Sequence, residues 1–226
     1  MIRQILRILT PVLPTLYKIY FSKPRSFRYD GLKIICHPGV FYPGFIGSTK
    51  HFLDYLQKQE LRGMKFLELG SGSGIISLLA SRKGALVTAS DINLLAVENT
   101  KENALRNHLV VTVIQSDLFS NIPDQNFDFI IINPPYYAVD PKDFKEMAWF
   151  CGKDYEYFEN LFPQLKDVYQ PSTMVLMNLS EHCNLTDIQE IAGKTGFSFE
   201  LLNKEKRMGE WNYIFQMRIR IKGDEK

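Results

Sequence analysis

The sequence is poor in cysteine, and its few cysteines are badly spaced for cross-links or metal sites. Cys36, Cys151 and Cys183 are odd in number and far apart, with no CxxC pair, so they cannot all form disulfides within the chain. Their spacing does not match a zinc site, and the four histidines form no HExxH or paired-ligand pattern. We therefore expect reduced thiols, a cytoplasmic location and no metal site.

A long uninterrupted apolar run is also missing. Residues 1–21 are rich in apolar side chains, but three basic residues and two prolines interrupt them. These are Arg3, Arg7, Lys18, Pro11 and Pro14. The segment therefore predicts neither a membrane-spanning helix nor a signal peptide. No acidic residue precedes Asp30, so this N-terminal arm is basic. Two interpretations of it are open. It packs across the domain, which we favour, or it lies on a membrane surface or another anionic partner.

An excess of charge of either sign is absent too, since the formal net charge is only +2. This balance neither indicates nor excludes a nucleic-acid partner. Two local basic clusters are candidates for such a contact, although a solvated surface is the simpler interpretation of each. They are Lys23, Arg25 and Arg28, and Lys204, Lys206 and Arg207. The length of 226 residues suits one α/β domain with a full core and is short for two.

Alternating strand and helix patterns begin at Lys65. Strands are predicted at 66–69, 85–90, 110–115, 127–132 and 173–179, with helices that include 94–106, 155–169 and one capped by Asn184 or Thr186. A β-hairpin is predicted within 26–40, with its turn at 29–31. The last two strands, 197–203 and 211–221, are joined by a charged segment at 204–210 and have no helix between them, so they pair antiparallel.

These elements predict an α/β fold with a doubly wound, Rossmann-like sheet. The sheet has seven strands, is mostly parallel, and ends in a C-terminal antiparallel hairpin. We divide the chain into an N-terminal arm and β-hairpin at residues 1–45 and a main domain at residues 46–226.

The most informative motif is Asn133-Pro134-Pro135-Tyr136, which directly follows the apolar run at 127–132. Such a run predicts a buried strand of a parallel sheet, and the prolines end it. Ligands of α/β sheets bind at the carboxyl ends of strands. The Asn133 side chain and the Pro134 carbonyl are acceptors for both hydrogens of a planar NH2 group, and Tyr136 offers a ring for stacking. The turn predicts transfer to a planar nitrogen.

A glycine-rich loop with Gly70, Gly72 and Gly74 lies between the first strand and helix of the alternating pattern. Glycine is needed where a chain turns tightly or where a ligand touches backbone. The loop departs from the dinucleotide pattern GxGxxG, because Ile75 stands at the last glycine position. Glu68 would also repel a phosphate, whereas it suits an ammonium group.

Two aspartates end the next two strands. Asp91 is placed to accept hydrogen bonds from a ribose diol, and Asp117 from the exocyclic amine of adenine, with Ile92 or Leu118 as apolar walls for the ring. Each aspartate alone is as readily a helix cap or a turn former. Together with Glu68, the glycine loop and the Asn133 turn, however, they would all face one edge of the sheet.

A ligand with an amino acid group, a ribose and an adenine matches Glu68, Asp91 and Asp117 in that order, and S-adenosylmethionine is such a ligand. On these residues the chain resembles the class I S-adenosylmethionine-dependent methyltransferases. The matching motifs are residues 67–74, 90–93, 116–119 and 133–136, and the resemblance spans about residues 30–221. It implies S-adenosylmethionine as cofactor, with Asn133 close to it.

Within this superfamily, the motif at residues 133–136 resembles the corresponding motif of enzymes that methylate amide or amine nitrogens of proteins or nucleic acids. The protein-glutamine methyltransferases that act on release factors look closest, because the segments 41–44 and 148–154, followed by Tyr157 and Phe158, are similar to theirs. N-methylation of adenine or guanine in RNA or DNA is the alternative. An adaptor that binds the cofactor without catalysis is a third possibility, and Ile75 and Glu68 disfavour a nicotinamide-dependent oxidoreductase.

Overall fold

Two sheets organise the part of the chain that the computed structural model describes, which comprises residues 21–44, 47–123 and 126–219. Nearly all of the N-terminal arm lies outside these residues, as does the predicted division between residues 45 and 46, so both stay predictions. The strands are β1 (Arg25–Tyr29), β2 (Leu32–Cys36), β3 (Lys65–Leu69), β4 (Leu86–Asp91), β5 (Thr112–Gln115), β6 (Phe129–Ile132), β7 (Met174–Ser180), β8 (Phe197–Arg207) and β9 (Glu210–Ile219). The helices are α1 (Gly47–Leu56), α2 (Ile75–Arg82), α3 (Leu94–Arg106), α4 (Glu156–Val168) and α5 (Leu185–Lys194).

The main sheet has seven strands in the order β5-β4-β3-β6-β7-β9-β8. Strands β3 to β7 pair in parallel, and β9 is antiparallel to both β7 and β8. All four residues of β6 are buried, because helices cover both faces of the sheet. Ile130 and Ile132 belong to the core with α4 and α5, and Phe129 and Ile131 to the core with α1 and α2. The predicted doubly wound fold is confirmed.

The register of the central strands brings their carboxyl ends to one edge. Leu69, the last residue of β3, lies opposite Ser90 of β4 on one side and Ile132 of β6 on the other. Asp91 in turn lies opposite Gln115 of β5. The polar residues that follow these strands are therefore neighbours, although they are far apart in sequence.

The N-terminal hairpin forms as predicted. Strands β1 and β2 pair antiparallel around Asp30 and Gly31, which both adopt positive φ. Helix α3 also has its predicted bounds, and the Asn93 side chain caps it by accepting a hydrogen bond from Leu95 N at 3.0 Å.

The predicted charged linker at 204–210 was wrong. Strands β8 and β9 continue through most of it, and the turn narrows to Met208 and Gly209. Lys206 is opposite Trp211 in the ladder, and the Lys204 ammonium lies 4.5 Å from the centre of the Trp211 ring. Lysine is tolerated on this edge strand because it stays exposed and its ammonium group makes a cation–π contact with an aromatic face.

The capping prediction for α5 was also imperfect. Asn184 occupies the cap position, but its side chain donates to Asp187 Oδ2 at 2.7 Å and makes no bond to the backbone of the first turn. An aspartate three residues on competes for the amide, a contact that the capping pattern alone does not reveal.

The three cysteines are free thiols, and all are buried. Across the described ranges, no helix has the length and apolar character needed to cross a membrane. Those same residues contain no group of three or more histidine, cysteine or acidic side chains that could hold a metal ion.

Gly74 joins the glycine loop to α2 at a place with no room for a side chain. Its φ is +79°, and a Cβ built on it would lie 2.7 Å from the Thr100 side chain of α3. Gly63 has a similar φ of +74°, but a Cβ there would meet no other atom within 4 Å. A side chain would strain the backbone at both glycines but would clash with a neighbour only at Gly74, so comparing the two distinguishes backbone strain from crowding.

We expect Gly74→Ala to lower the free energy of unfolding by about 2 to 4 kcal/mol, since it adds overpacking to the left-handed penalty. Gly63→Ala carries only the backbone penalty, about 1 kcal/mol. Denaturant unfolding of both variants measures the difference. Equal losses would show that Thr100 does not restrict this junction.

Candidate active site

A single cleft at the carboxyl edge of the main sheet collects nearly all of the predicted site residues. It encloses about 1260 Å³, counting its open mouth. The predicted residues that line it are Glu68, Gly70, Gly72, Asp91, Ile92, Asp117, Leu118, Asn133, Pro134 and Tyr136. Gly74 does not line the cleft and instead packs against α3. All but one of the predicted residues therefore lie together at one edge of the sheet, and their roles stay predictions.

The glycine loop is tied to the end of β4. The backbone N–H groups of Gly70 and Ser71 both donate to the Ser90 carbonyl at 2.9 Å. Gly72 N donates to Asp91 Oδ2, also at 2.9 Å. Gly70 and Gly72 have φ values of +74° and +54°, which glycine adopts without strain. The loop leaves bare backbone along the floor of the cleft, as close approach of a ligand requires.

Asp91 holds two turns together. One carboxylate oxygen accepts from Gly72 N, and the other accepts from Asn93 N at 2.9 Å. Burial raises the pKa of this carboxyl group, and the two amide donors oppose the rise. Because each oxygen has a second lone pair, both can still accept from a vicinal diol. The donor chemistry of a ribose therefore fits Asp91.

Glu68 lies beneath the loop and is only 4% exposed. One of its carboxylate oxygens accepts from Ser77 N at 2.8 Å and from the Ser77 hydroxyl. It thereby satisfies a free N–H of the first turn of α2. Burial raises the pKa of the Glu68 carboxyl to about 8. A cationic group in the cleft would stabilise the ionised form, so the site fits an ammonium group.

Asp117 and Leu118 form the opposite wall. Asp117 is exposed, and Leu118 has a φ of +47°, unusual for a branched apolar residue. The Ser116 hydroxyl stabilises this turn by donating to the Leu118 carbonyl at 2.8 Å. An exposed carboxylate beside an apolar side chain fits the edge and face of a purine.

The Asn133 turn places an amide and an aromatic pair at the other end of the cleft. Asn133 is half-buried and follows β6 immediately, next to the start of the glycine loop. The Tyr136 side chain is only 7% exposed, and its hydroxyl bonds Ser180 at the end of β7. Its neighbour Tyr137 lies 4.9 Å away between ring centres and is 38% exposed. Tyr137 was missed by the sequence reasoning and presents the more accessible ring.

Further aromatic residues on the cleft wall were not predicted as site residues. The Phe41 and Trp149 rings pack 5.0 Å apart, and both residues line the cleft. Tyr157, in the first turn of α4, also lines it. Burial raises the Tyr157 pKa, and the Asp91 and Asp117 carboxylates raise it further, so the phenol is a neutral hydrogen-bond donor. The similarity of segments 41–44 and 148–154, and of Tyr157, to the glutamine enzymes could have identified these aromatic residues as part of the site.

In the second basic cluster, Arg207 already pairs with two carboxylates. The Arg207 guanidinium is 16% exposed and pairs with Asp54 at 2.5 Å and Glu205 at 2.8 Å. The Lys204 ammonium lies against the Trp211 ring. Arg207 therefore links the end of the β8–β9 hairpin to Asp54 of α1, while Lys204 and Lys206 are exposed.

Comparisons with known proteins agree with this geometry. Residues 31–150 match the family model described as methyltransferase small domain. The chain is 38% identical over 132 residues to a Methanocaldococcus jannaschii protein that carries the name protein N5-glutamine methyltransferase, covering 55% of this chain and 64% of that protein. It is 46% identical over 116 residues to a ribosomal protein L11 methyltransferase of Thermosipho africanus, covering 50% of this chain and 44% of that protein.

A solved structure with the same fold is a 16S rRNA N2 methyltransferase of T. thermophilus in complex with AdoMet and guanosine. It superposes with a TM-score of 0.62 at 20% identity, covering 87% of this chain and 50% of that one. The present chain thus spans 64% and 44% of the two curated relatives' lengths. Since the family model covers more than half of its 226 residues, the chain belongs to the methyltransferase small domain family.

Proposed function

We propose that the chain transfers the methyl group of S-adenosylmethionine to a planar amide or amine nitrogen, with the side-chain amide of a protein glutamine as the favoured acceptor. One observation carries the proposal. The Asn133 turn and the glycine loop follow the carboxyl ends of two adjacent strands, β6 and β3, and both line the same cleft. A donor bound along the loop would therefore face an acceptor held by the turn.

The cofactor assignment is supported by three acidic side chains in one cleft. Glu68 suits the ammonium group, Asp91 the ribose hydroxyls and Asp117 the adenine amine, while Ile92 and Leu118 supply apolar walls. Gly70 and Gly72 allow close approach to backbone. When bound, S-adenosylmethionine supplies a methyl group already activated by its sulfonium.

The turn supplies orientation rather than acid–base chemistry. An amide nitrogen is a weak nucleophile because its lone pair is delocalised. Asn133 Oδ1 and the Pro134 carbonyl would accept hydrogen bonds from its two N–H groups. These bonds would favour the pyramidal nitrogen that develops in the transition state. As the new N–C bond forms and the S–C bond breaks, the nitrogen becomes cationic and loses its proton to solvent. Tyr136 and Tyr137 would border the plane of the acceptor group.

The charges at the acceptor end favour a protein substrate. Burial raises the pKa of the Tyr136 and Tyr137 phenols, and the nearby Glu210 carboxylate raises both further. Glu210 also pairs with His182 at 3.2 Å. Glu181 accepts from Trp211 N nearby. Carboxylates here oppose a phosphate backbone, which proteins bind through unpaired lysine and arginine. The exposed apolar residues Tyr137, Val139 and Phe144 suit a protein surface instead.

The relatives point to the same two substrate classes. The archaeal protein's name supports a glutamine acceptor, and the structure with guanosine supports a purine amine as the second candidate. The three free thiols fit a reducing compartment such as the cytoplasm.

We expect Asn133→Ala to lower turnover at least tenfold, about 1.4 kcal/mol of transition-state stabilisation, with cofactor affinity near normal. Radiolabelled methyl transfer to glutamine-containing proteins and to RNA measures turnover and substrate class together. Asn160→Ala, an exposed position on α4, is the control and should retain full activity. Unchanged turnover in Asn133→Ala would overturn the acceptor assignment, and label confined to RNA would overturn the protein substrate.

Glu68 should make the binding of the cofactor depend on pH. With a free-protein pKa of about 8, Glu68 is largely protonated at pH 6, and pairing with an ammonium group requires it to ionise. Binding should therefore release a proton below pH 8, and affinity should rise by up to about tenfold per pH unit between pH 6 and 8 before levelling off. Calorimetry in two buffers of different ionisation enthalpy measures the proton release. Glu68→Gln should lose both effects, and wild-type binding without proton release would contradict the contact.

A further inference from the structure

A ladder of asparagine side chains joins the N-terminal hairpin to α3. Asn107 accepts from Lys33 N at 3.0 Å and donates to the Lys33 carbonyl at 2.9 Å. Asn103 makes the same pair of bonds with Ile35, both at 2.9 Å. Asn99 donates to the Ile35 carbonyl at 2.8 Å and accepts from His37 N at 3.2 Å. Three side-chain amides thus form hydrogen bonds with the backbone along the edge of β2 that does not pair with β1.

The spacing of the ladder follows from the geometry of helices and strands. Side chains four residues apart share one helix face and are about 6 Å apart along the axis. Alternate residues of a strand present N–H and C=O to the same edge and are about 6.8 Å apart. The two repeats match over the two steps of the ladder. Helix and strand run antiparallel, because the helix positions fall from 107 to 99 as the strand positions rise from 33 to 37. The hairpin is therefore held to α3 by directed hydrogen bonds as well as by apolar packing.

Asn103 differs from the other two members because it also reaches the glycine loop. Its Nδ2 donates to the Ser73 carbonyl at 3.0 Å in addition to Ile35. Its side chain is fully buried, and all three bonds go to backbone atoms. Asn107, by contrast, is partly exposed and has no bond to the loop. Asn103 alone of the ladder connects both the hairpin and the loop.

The hairpin leads directly into the wall of the cleft. After β2 the chain turns through Gly39, whose carbonyl accepts from Asn93 Nδ2 at 3.1 Å. It then brings Phe41 over the glycine loop, where a Cβ on Gly72 would lie 3.7 Å from Phe41. The Phe41 ring packs on Trp149 across the mouth. A shift of β2 along α3 would therefore move Phe41 relative to the loop.

We propose that Asn103 is a positioning residue that couples the glycine loop to the Phe41 wall, so that cofactor binding and the placement of Phe41 are linked through α3. The inference rests on the proposed function, because it takes the ligand of the loop to be S-adenosylmethionine. It assigns to a residue outside the cleft a share in cofactor affinity.

The test uses the full chain with Trp211→Phe as background, so that Trp149 is the single tryptophan and reports the Phe41 contact. Asn103→Ala should raise the dissociation constant for S-adenosylmethionine at least tenfold while turnover at saturating cofactor changes less than threefold. It should also alter Trp149 fluorescence before cofactor is added. Asn107→Ala, which removes a ladder member without loop contact, should change the dissociation constant less than threefold.

A double-mutant cycle separates coupling from general damage. If Asn103 acts through Phe41, then Phe41→Ala should weaken cofactor binding much less in the Asn103→Ala background than in the parent. Additive effects, or equal effects of Asn103→Ala and Asn107→Ala on the dissociation constant, would overturn the inference.

Should Asn103→Ala fail to fold, hydrogen exchange of the unmodified chain decides instead. Saturating cofactor should slow the exchange of the Ile35 amide hydrogen at least tenfold and that of the Lys33 amide hydrogen less than threefold. Equal slowing of the two would contradict the coupling. Failure of the parent to bind S-adenosylmethionine would instead overturn the proposed function.

Discussion

The pairing of β3 with β4 on one side and β6 on the other is the constraint on which the site depends. Leu69 lies opposite both Ser90 and Ile132, so the glycine loop, Asp91 and Asn133 leave the sheet at the same level. A slip of one residue in either pair would turn the core-facing side chains of a strand to the other face. Phe129 and Ile131 of β6 pack in one core and Ile130 and Ile132 in the other, so close packing on both faces favours this register and thereby sets the geometry of the cleft.

The polar groups of the cleft are held by backbone contacts before any ligand enters. Asp91 fixes the loop through Gly72 N and the next turn through Asn93 N. Glu68 stabilises the start of α2 through Ser77. Such preorganisation lowers the cost of ordering side chains upon binding. In the proposed methyl transfer, which needs little acid–base help, a rigid set of acceptors would suffice to orient the reacting groups.

Much of this was readable from the sequence, because strand ends and their polar residues are local signals. The Asn133 turn, Asp91 and Asp117 were found from the residues that follow each apolar run. The missing parts depend on contacts between distant segments. Asn103 looks like an ordinary polar residue on a helix until β2 is placed beside it, and the β8–β9 hairpin accommodates Lys204 by placing its ammonium group over the Trp211 ring. Neither contact leaves a periodic pattern.

The central claim is that the Asn133 turn faces a methyl donor bound along the glycine loop. A crystal structure of the chain with S-adenosylhomocysteine, the demethylated product, tests it most directly. We expect the ribose at Asp91, the adenine beside Asp117 and Leu118, and the sulfur directed at Asn133. A ligand bound away from this edge, or one whose sulfur points away from Asn133, would contradict it.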